Sequence, residues 1–267
     1  MSGSARCMPR RSARARIRTA GAVIKGWQDQ DGTDYAPGER CTLSGDKVFV
    51  AQWESTWAEV SKALEAGQAF KLLNSITAAD DEGSLKIPAN KTASLNLDGY
   101  TLDRGLAEAG AKDDGCVFSL GDRSTLNLFG NGGAVTGGNN TGNGGGFYLG
   151  TSSTLLVANI SISGNTSAAK GGAAYIDDGA KVSTNSNSSI YWGVGLGLGA
   201  VGGLVYFVGN KALKGGGTYV GQGGTLEIGN GVEILDNTNP SSGSEESYDN
   251  VEWLHLYDQR RGDGRHR

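Results

Sequence analysis

Three six-residue strings constrain this chain more than any other feature. Gly144-Gly145-Gly146-Phe147-Tyr148-Leu149 returns as Gly171-Gly172-Ala173-Ala174-Tyr175-Ile176, and again as Gly215-Gly216-Gly217-Thr218-Tyr219-Val220. A second string follows each of them: Gly164-Asn165-Thr166, Gly209-Asn210-Lys211 and Asp236-Asn237-Thr238. Tyr148 to Tyr175 is 27 residues, and Asn210 to Asn237 is 27 again. Between the strings lie short apolar alternations such as Thr154-Leu155-Leu156-Val157 and Thr225-Leu226-Glu227-Ile228. Alternation with period two marks strands, while glycine and asparagine mark turns. A fixed period of this size, built from strands and turns, predicts a solenoid of stacked β-coils from about Leu95 to Asn237.

Composition agrees. Glycine supplies 45 of 267 residues and proline only 4. That is more than twice ordinary glycine usage, without the proline of collagen or of a proline-rich disordered chain. It fits many tight turns. The net charge of −4 hides an asymmetry. Residues 1–20 hold six arginines and no acid; residues 258–267 hold four arginines and two aspartates. Taking these from the 24 basic and 28 acidic residues leaves 14 and 26, a net of −12. An acidic body disfavours nucleic acid, which leaves the basic ends as the only polyanion-binding candidates. Cys7, Cys41 and Cys116 lie far apart, show no metal-ligand spacing and form no disulfide framework. No secretory leader is visible. Ala20-Gly21-Ala22-Val23-Ile24 is too short for its apolar core, and no apolar run follows Arg10-Arg11.

In chain order, residues 1–20 read as a disordered basic arm. Residues 21–53 read as a small β unit, opening on Ala22-Val23-Ile24 and closing on the strand Lys47-Val48-Phe49-Val50-Ala51-Gln52-Trp53. Its Gly26-Trp27, Asp31-Gly32, Tyr35-Ala36-Pro37-Gly38 and Ala51-Gln52-Trp53 resemble the second half of the Listeria–Bacteroides repeat, a small β-grasp-like module of bacterial surface proteins. The resemblance covers about thirty residues and implies a truncated copy, since the arm stands where the module's first strand and helix would be. Residues 54–67 read as a helix. Thr56 and Glu59 have capping-box spacing, Trp57, Val60 and Leu64 share a face, and Gly67 ends it. Placed before a solenoid, such a helix covers an end that would otherwise expose edge backbone and apolar interior.

Strands follow at Phe70–Leu73, Leu85–Ile87, Ala93–Leu97, Tyr100–Leu102, Cys116–Leu120 and Ser124–Leu128. The order is a helix, then Leu95-Asn96-Leu97-Asp98-Gly99-Tyr100-Thr101-Leu102-Asp103, then Gly-Gly-x-x-Tyr and Gly-Asn coils. It resembles the right-handed parallel β-helix (pectin-lyase-like) domains of bacterial surface and adhesin-like proteins. The expected fold is therefore all-β, a right-handed parallel β-helix over residues 54–250 with an N-terminal capping helix, and a tail over 251–267. One coil is irregular. Tyr175 to Tyr219 is 44 residues, and the 17 extra fall around Ser186–Gly203. Val182 to Asn210 carries no charge, but six glycines within Gly193–Gly203 make a membrane span the poorer reading beside a glycine-rich loop or an extra coil. Val251–Tyr257 is apolar enough for a last strand or short helix.

Polysaccharide lyases and hydrolases on this fold are expected to gather acids on one face. The candidates here are Asp177 and Asp178, directly after Tyr175-Ile176. Matching positions in neighbouring coils are Gly150-Thr151 and Gly221-Gln222, so no second acid supports them, and general acid–base work needs two positioned groups. A solvated turn before Gly179 is the expectation. Lys170 and Lys181 are near but unsupported, and His255 and His266 lie outside the coils. Asp29, Asp31, Gly32 and Asp34 imitate the start of a calcium loop without its closing glutamate, and a hairpin turn is expected instead. Arg261-Gly262-Asp263 matches the integrin tripeptide, which is nearly uninformative in an arginine-rich tail. Asn165, Asn210 and Asn237 are expected at equivalent corners, bonding coil to coil. Tyr148, Tyr175 and Tyr219 are expected to stack: inside the coil as core, the commoner outcome, or outside as a sugar-binding strip.

The expected function is a non-catalytic, extracellular or cell-surface β-helix stalk of an adhesin-like bacterial protein. Glycans or host surface proteins are its partners, with no cofactor, metal or nucleic acid. Asp177, Asp178, Tyr148, Tyr175 and Tyr219 are the ligand-binding candidates. The rival is a pectate-lyase-like enzyme or a carbohydrate-binding module.

Overall fold

The computed structural model describes residues 4–6, 22–42, 46–108, 114–184, 205–228 and 232–239. Its body is a parallel β-solenoid of about five turns. One coil shows the construction. Phe147–Leu149 forms the first strand, Thr154–Ser163 the second and Thr166–Lys170 the third, before Ala174–Ile176 begins the next coil. Asn159 adopts φ 52° inside the second strand and bends it into two halves, a conformation asparagine tolerates. Stacking repeats this outline as three parallel walls. A five-stranded wall runs from Leu85–Ile87 to Thr218–Val220. A ten-stranded bent wall carries the longest strands, and a three-stranded wall comprises Asn139–Asn140, Thr166–Lys170 and Lys211–Lys214.

Period-two alternation fills the interior. Leu126, Leu128, Leu155, Val157, Ile160, Ile162, Val205 and Phe207 are buried from the bent wall. Phe118 and Phe147 stack inside the five-stranded wall, with ring centroids 5.0 Å apart and planes 4° from parallel. The glycine corners let neighbouring coils close. Gly171 sits at φ +70°, and a Cβ on Gly172 would collide with the carbonyl of Gly216 and the amide of Lys211. Only glycine fits a corner where backbone meets backbone.

Helix α1 (Trp57–Glu65) covers the N-terminal end. The Thr56 hydroxyl accepts the Glu59 N–H at 3.3 Å, satisfying an otherwise orphaned donor. Trp57, Val60, Ala63 and Leu64 are its buried face. It stops in a glycine cap: Gly67 at φ +72° donates to Leu64 O, and Gln68 donates to Ala63 O, both at 2.9 Å. Trp57 Nε1 donates to Gly83 O at 2.9 Å, and the buried Arg104 guanidinium lies 6.0 Å from the Trp57 ring centroid. These contacts join the cap to the first coil.

Ahead of the helix stands a three-stranded antiparallel sheet in the order Asp34–Tyr35, Val23–Asp29, Phe49–Glu54. Ser55 and Asn74 tie its end to the first coil, through Ser55 N–H to Asn74 Oδ1 at 2.7 Å and Leu73 N–H to Ser55 Oγ at 3.0 Å. Ser4–Arg6 pairs antiparallel with Arg40–Thr42, and Cys41 is disulfide-bonded. The rest of the basic arm, the whole Ser186–Gly203 interruption and the tail from residue 240 lie outside the described residues.

Candidate functional site

The middle residue of each short strand in the five-stranded wall points outward. That follows from its neighbours: Phe147 and Leu149, then Ala174 and Ile176, face the core. Tyr148, Tyr175 and Tyr219 therefore form an outer, half-buried column, in register across the wall. Of the two placements the sequence left open, core or outer strip, the tyrosines take the outer one, although core is the commoner outcome. Their rings stack, with centroids 5.6 Å apart for Tyr148–Tyr175 and 5.7 Å for Tyr175–Tyr219, and planes 20° and 12° from parallel. The apolar residues on both sides of each tyrosine were the signal that places it.

Two charged groups frame the column. Tyr175 OH donates to Asp177 Oδ1 at 3.2 Å. Burial, then the Asp177 charge and this bond to it, push the Tyr175 phenol up to about 12. Lys170 Nζ lies 4.4 Å from the Tyr219 ring centroid and donates to Tyr219 OH at 3.1 Å. Asp178 is exposed in the turn that follows, where its carbonyl accepts Ser152 N–H and Gly179 takes φ +63°. Strand register sets Gly150-Thr151 and Gly221-Gln222 beside Asp177-Asp178, as expected from the repeat. The next acid in this row is Asp122, two coils away. At about 4.8 Å per strand that is roughly 10 Å, with Thr151 between them.

The asparagines occupy the equivalent corners expected of them. Gly138 N–H donates to Asn165 Oδ1 at 3.0 Å. Asn165 donates its backbone N–H and Nδ2 to Asn210 Oδ1 at 3.0 and 3.1 Å, and Asn210 donates both to Asn237 Oδ1 at 2.9 Å. Their remaining amide hydrogens bond buried carbonyls of Val135, Ile162 and Phe207. All three side chains are buried and spent on the fold.

The Asp29–Asp34 loop is a hairpin turn. Asp29 Oδ1 accepts N–H from Asp31 and Thr33 at 3.0 and 2.9 Å, while Oδ2 takes Tyr35 OH and Lys47 Nζ. Lys47 and the Thr33 amide hold the Asp29 carboxyl well below the usual carboxylate range. Its oxygens are committed to these protein donors. Among the described residues, no group of three His, Cys, Asp or Glu side chains could hold a metal, and no helix is long and apolar enough to cross a membrane. His255, His266 and Arg261-Gly262-Asp263 lie outside the described residues.

Sequence reasoning missed one cluster. Lys170, Lys211 and Lys214 share the three-stranded wall, with Lys170 directly opposite Lys214 and Lys211 at the start of the same strand as Lys214, opposite Thr166. Comparisons with family models, with curated proteins and with solved structures find no match to this chain.

Proposed function

We propose that this chain is a non-catalytic β-helix segment of an extracellular or cell-surface, adhesin-like protein, and that its outer tyrosine column takes part in recognising glycans. The observation that carries this reading is the column itself: three stacked, half-buried tyrosines on the outside of a rigid parallel scaffold. Aromatic groups with a polar tip at a wet surface suit saccharides, whose faces are apolar and whose rims are polar. Recognition from a rigid scaffold needs no moving part. The Cys41 disulfide suits an oxidising compartment. Likeness to pectin-lyase-like surface domains, and to a truncated Listeria–Bacteroides repeat, belongs to the same reading and rests on the motifs quoted above.

Separation of Asp177 and Asp178 from any neighbouring acid weighs against the enzymatic rival. The test is a panel of pectic and host glycans, followed for both binding and product release. Binding without product, weakened in Tyr175→Ala and Tyr219→Ala, is the expected result. Turnover abolished by Asp177→Ala would overturn the reading.

A further inference from the structure

The strands of the solenoid carry six lysines, and they divide by wall. Lys71, Lys86 and Lys181 lie on the bent and five-stranded walls, and each has an acid: Asp98 at 2.8 Å, Asp114 at 3.6 Å and Glu227 at 2.6 Å. Lys170, Lys211 and Lys214 lie on the three-stranded wall and have no acid partner among the described residues. That wall's strands contain no aspartate or glutamate at all. Lys170 and Lys214 are cross-strand partners, an arrangement of like charges that is unfavourable by itself. On a body with excess acid, three unpaired lysines on one wall form a local reversal of sign.

We infer that this lysine wall, together with the edge of Tyr219, is a binding site for a sulfated glycan. Lys170 is the fixed element, because Tyr219 holds its ammonium at both ring and hydroxyl. Lys211 and Lys214 are exposed and free to close on an anionic group. A sulfate ester stays ionised across the physiological range and offers oxygen acceptors to more than one ammonium. Tyr175 has a tyrosine on each side. At the middle of the column, Tyr175 therefore offers its ring edge and hydroxyl rather than an open face on which a nucleobase could stack. The inference rests on the reading of the chain as a non-catalytic recognition scaffold.

The experiment uses the full chain against dextran sulfate and against uncharged dextran, by surface plasmon resonance at several salt concentrations. Dextran sulfate is expected to bind, more weakly as salt rises, and dextran is not. The triple variant K170Q/K211Q/K214Q should lose roughly tenfold or more in affinity. The triple K71Q/K86Q/K181Q removes the same charge from the paired lysines and should bind as the parent does. Circular dichroism of both variants checks the fold. Equal loss in the two triples, or no loss in either, overturns the site and assigns any binding to the basic ends. Size analysis of the dextran sulfate after incubation separates this outcome from the scaffold reading. Binding through the lysines with shortening of the polymer keeps the site and overturns the scaffold. Neither binding nor shortening keeps the scaffold and overturns the site.

Discussion

The asparagine column and the tyrosine column are built alike and used differently. Each contributes one residue per coil, in register, over the same three coils. Each asparagine amide is buried and bonded to a neighbouring coil and to a buried carbonyl. The tyrosines keep their rings at the surface, and Tyr175 and Tyr219 direct their hydroxyls toward Asp177 and Lys170. Repetition alone therefore does not separate a structural column from a recognition surface. Where the polar atoms end is what separates them.

The largest effect should come from the asparagines. Asn210→Ala removes the buried acceptor of the Asn165 backbone N–H and Nδ2 and the Nδ2 donor to Ile162 O, and leaves Asn237 Oδ1 with the residue-210 backbone N–H alone. Several unpaired buried groups should cost about 4 kcal/mol, read as a lower guanidinium midpoint. If Asn210→Ala were as stable as the parent, the two columns would not differ as described. Gly172→Ala comes next. Its methyl meets backbone of the following coil, which can only shift, so about 2 kcal/mol should be lost in thermal unfolding.

Tyr175→Ala should cost about 1 kcal/mol, the value of its aromatic contacts, while glycan binding falls. The tyrosine column also has a pH signature. Its Tyr175 phenol is raised, so the stabilisation from the neutral ring is full below the ordinary phenol value near 10 and fades as pH rises through about 12. Absorbance titration at alkaline pH should show a tyrosine titrating near 12 that is missing in Tyr175→Phe, beside Tyr35, whose phenol is also raised by its bond to Asp29. The smallest and most local effect is at the hairpin. Asp29 has a lowered carboxyl value, so its contribution is complete above a pH of about 4 and is lost as pH falls through that lowered value. Protection of the amides in Val23–Asp29, taken relative to their intrinsic exchange rates, should therefore fall in acid, and Asp29→Asn should remove the dependence.

Much of this was legible in the chain. Thr56 and Gly67 bracket the cap helix because capping chemistry is local. Asn165, Asn210 and Asn237 could be placed because a corner repeats whenever its coil does. The Gly-Gly-x-x-Tyr string alone left the tyrosines between core and outer strip; its flanks decide, because Phe147 and Leu149, like Ala174 and Ile176, claim the interior. The lysine wall was hidden for a different reason. A step of 27 from Lys170 reaches Gly197, not Lys214. The interrupted coil, together with a register shift between Ser167 and Lys170, brings Lys214 alongside. The strings do align the two, since Lys170 directly precedes Gly171 as Lys214 directly precedes Gly215; what they leave out is that the strands of this wall hold no acid.

The asparagine column also has a mechanical meaning. Backbone hydrogen bonds of a parallel solenoid run along its axis, and the asparagine amides run the same way. A pull on the two ends loads these bonds in tension, with coils in series and each coil held chiefly by its neighbours. Coils then peel away singly. A regular coil of 27 residues releases roughly 90 Å of slack chain and the 44-residue coil more, a molecular shock absorber whose force steps are spaced by coil length.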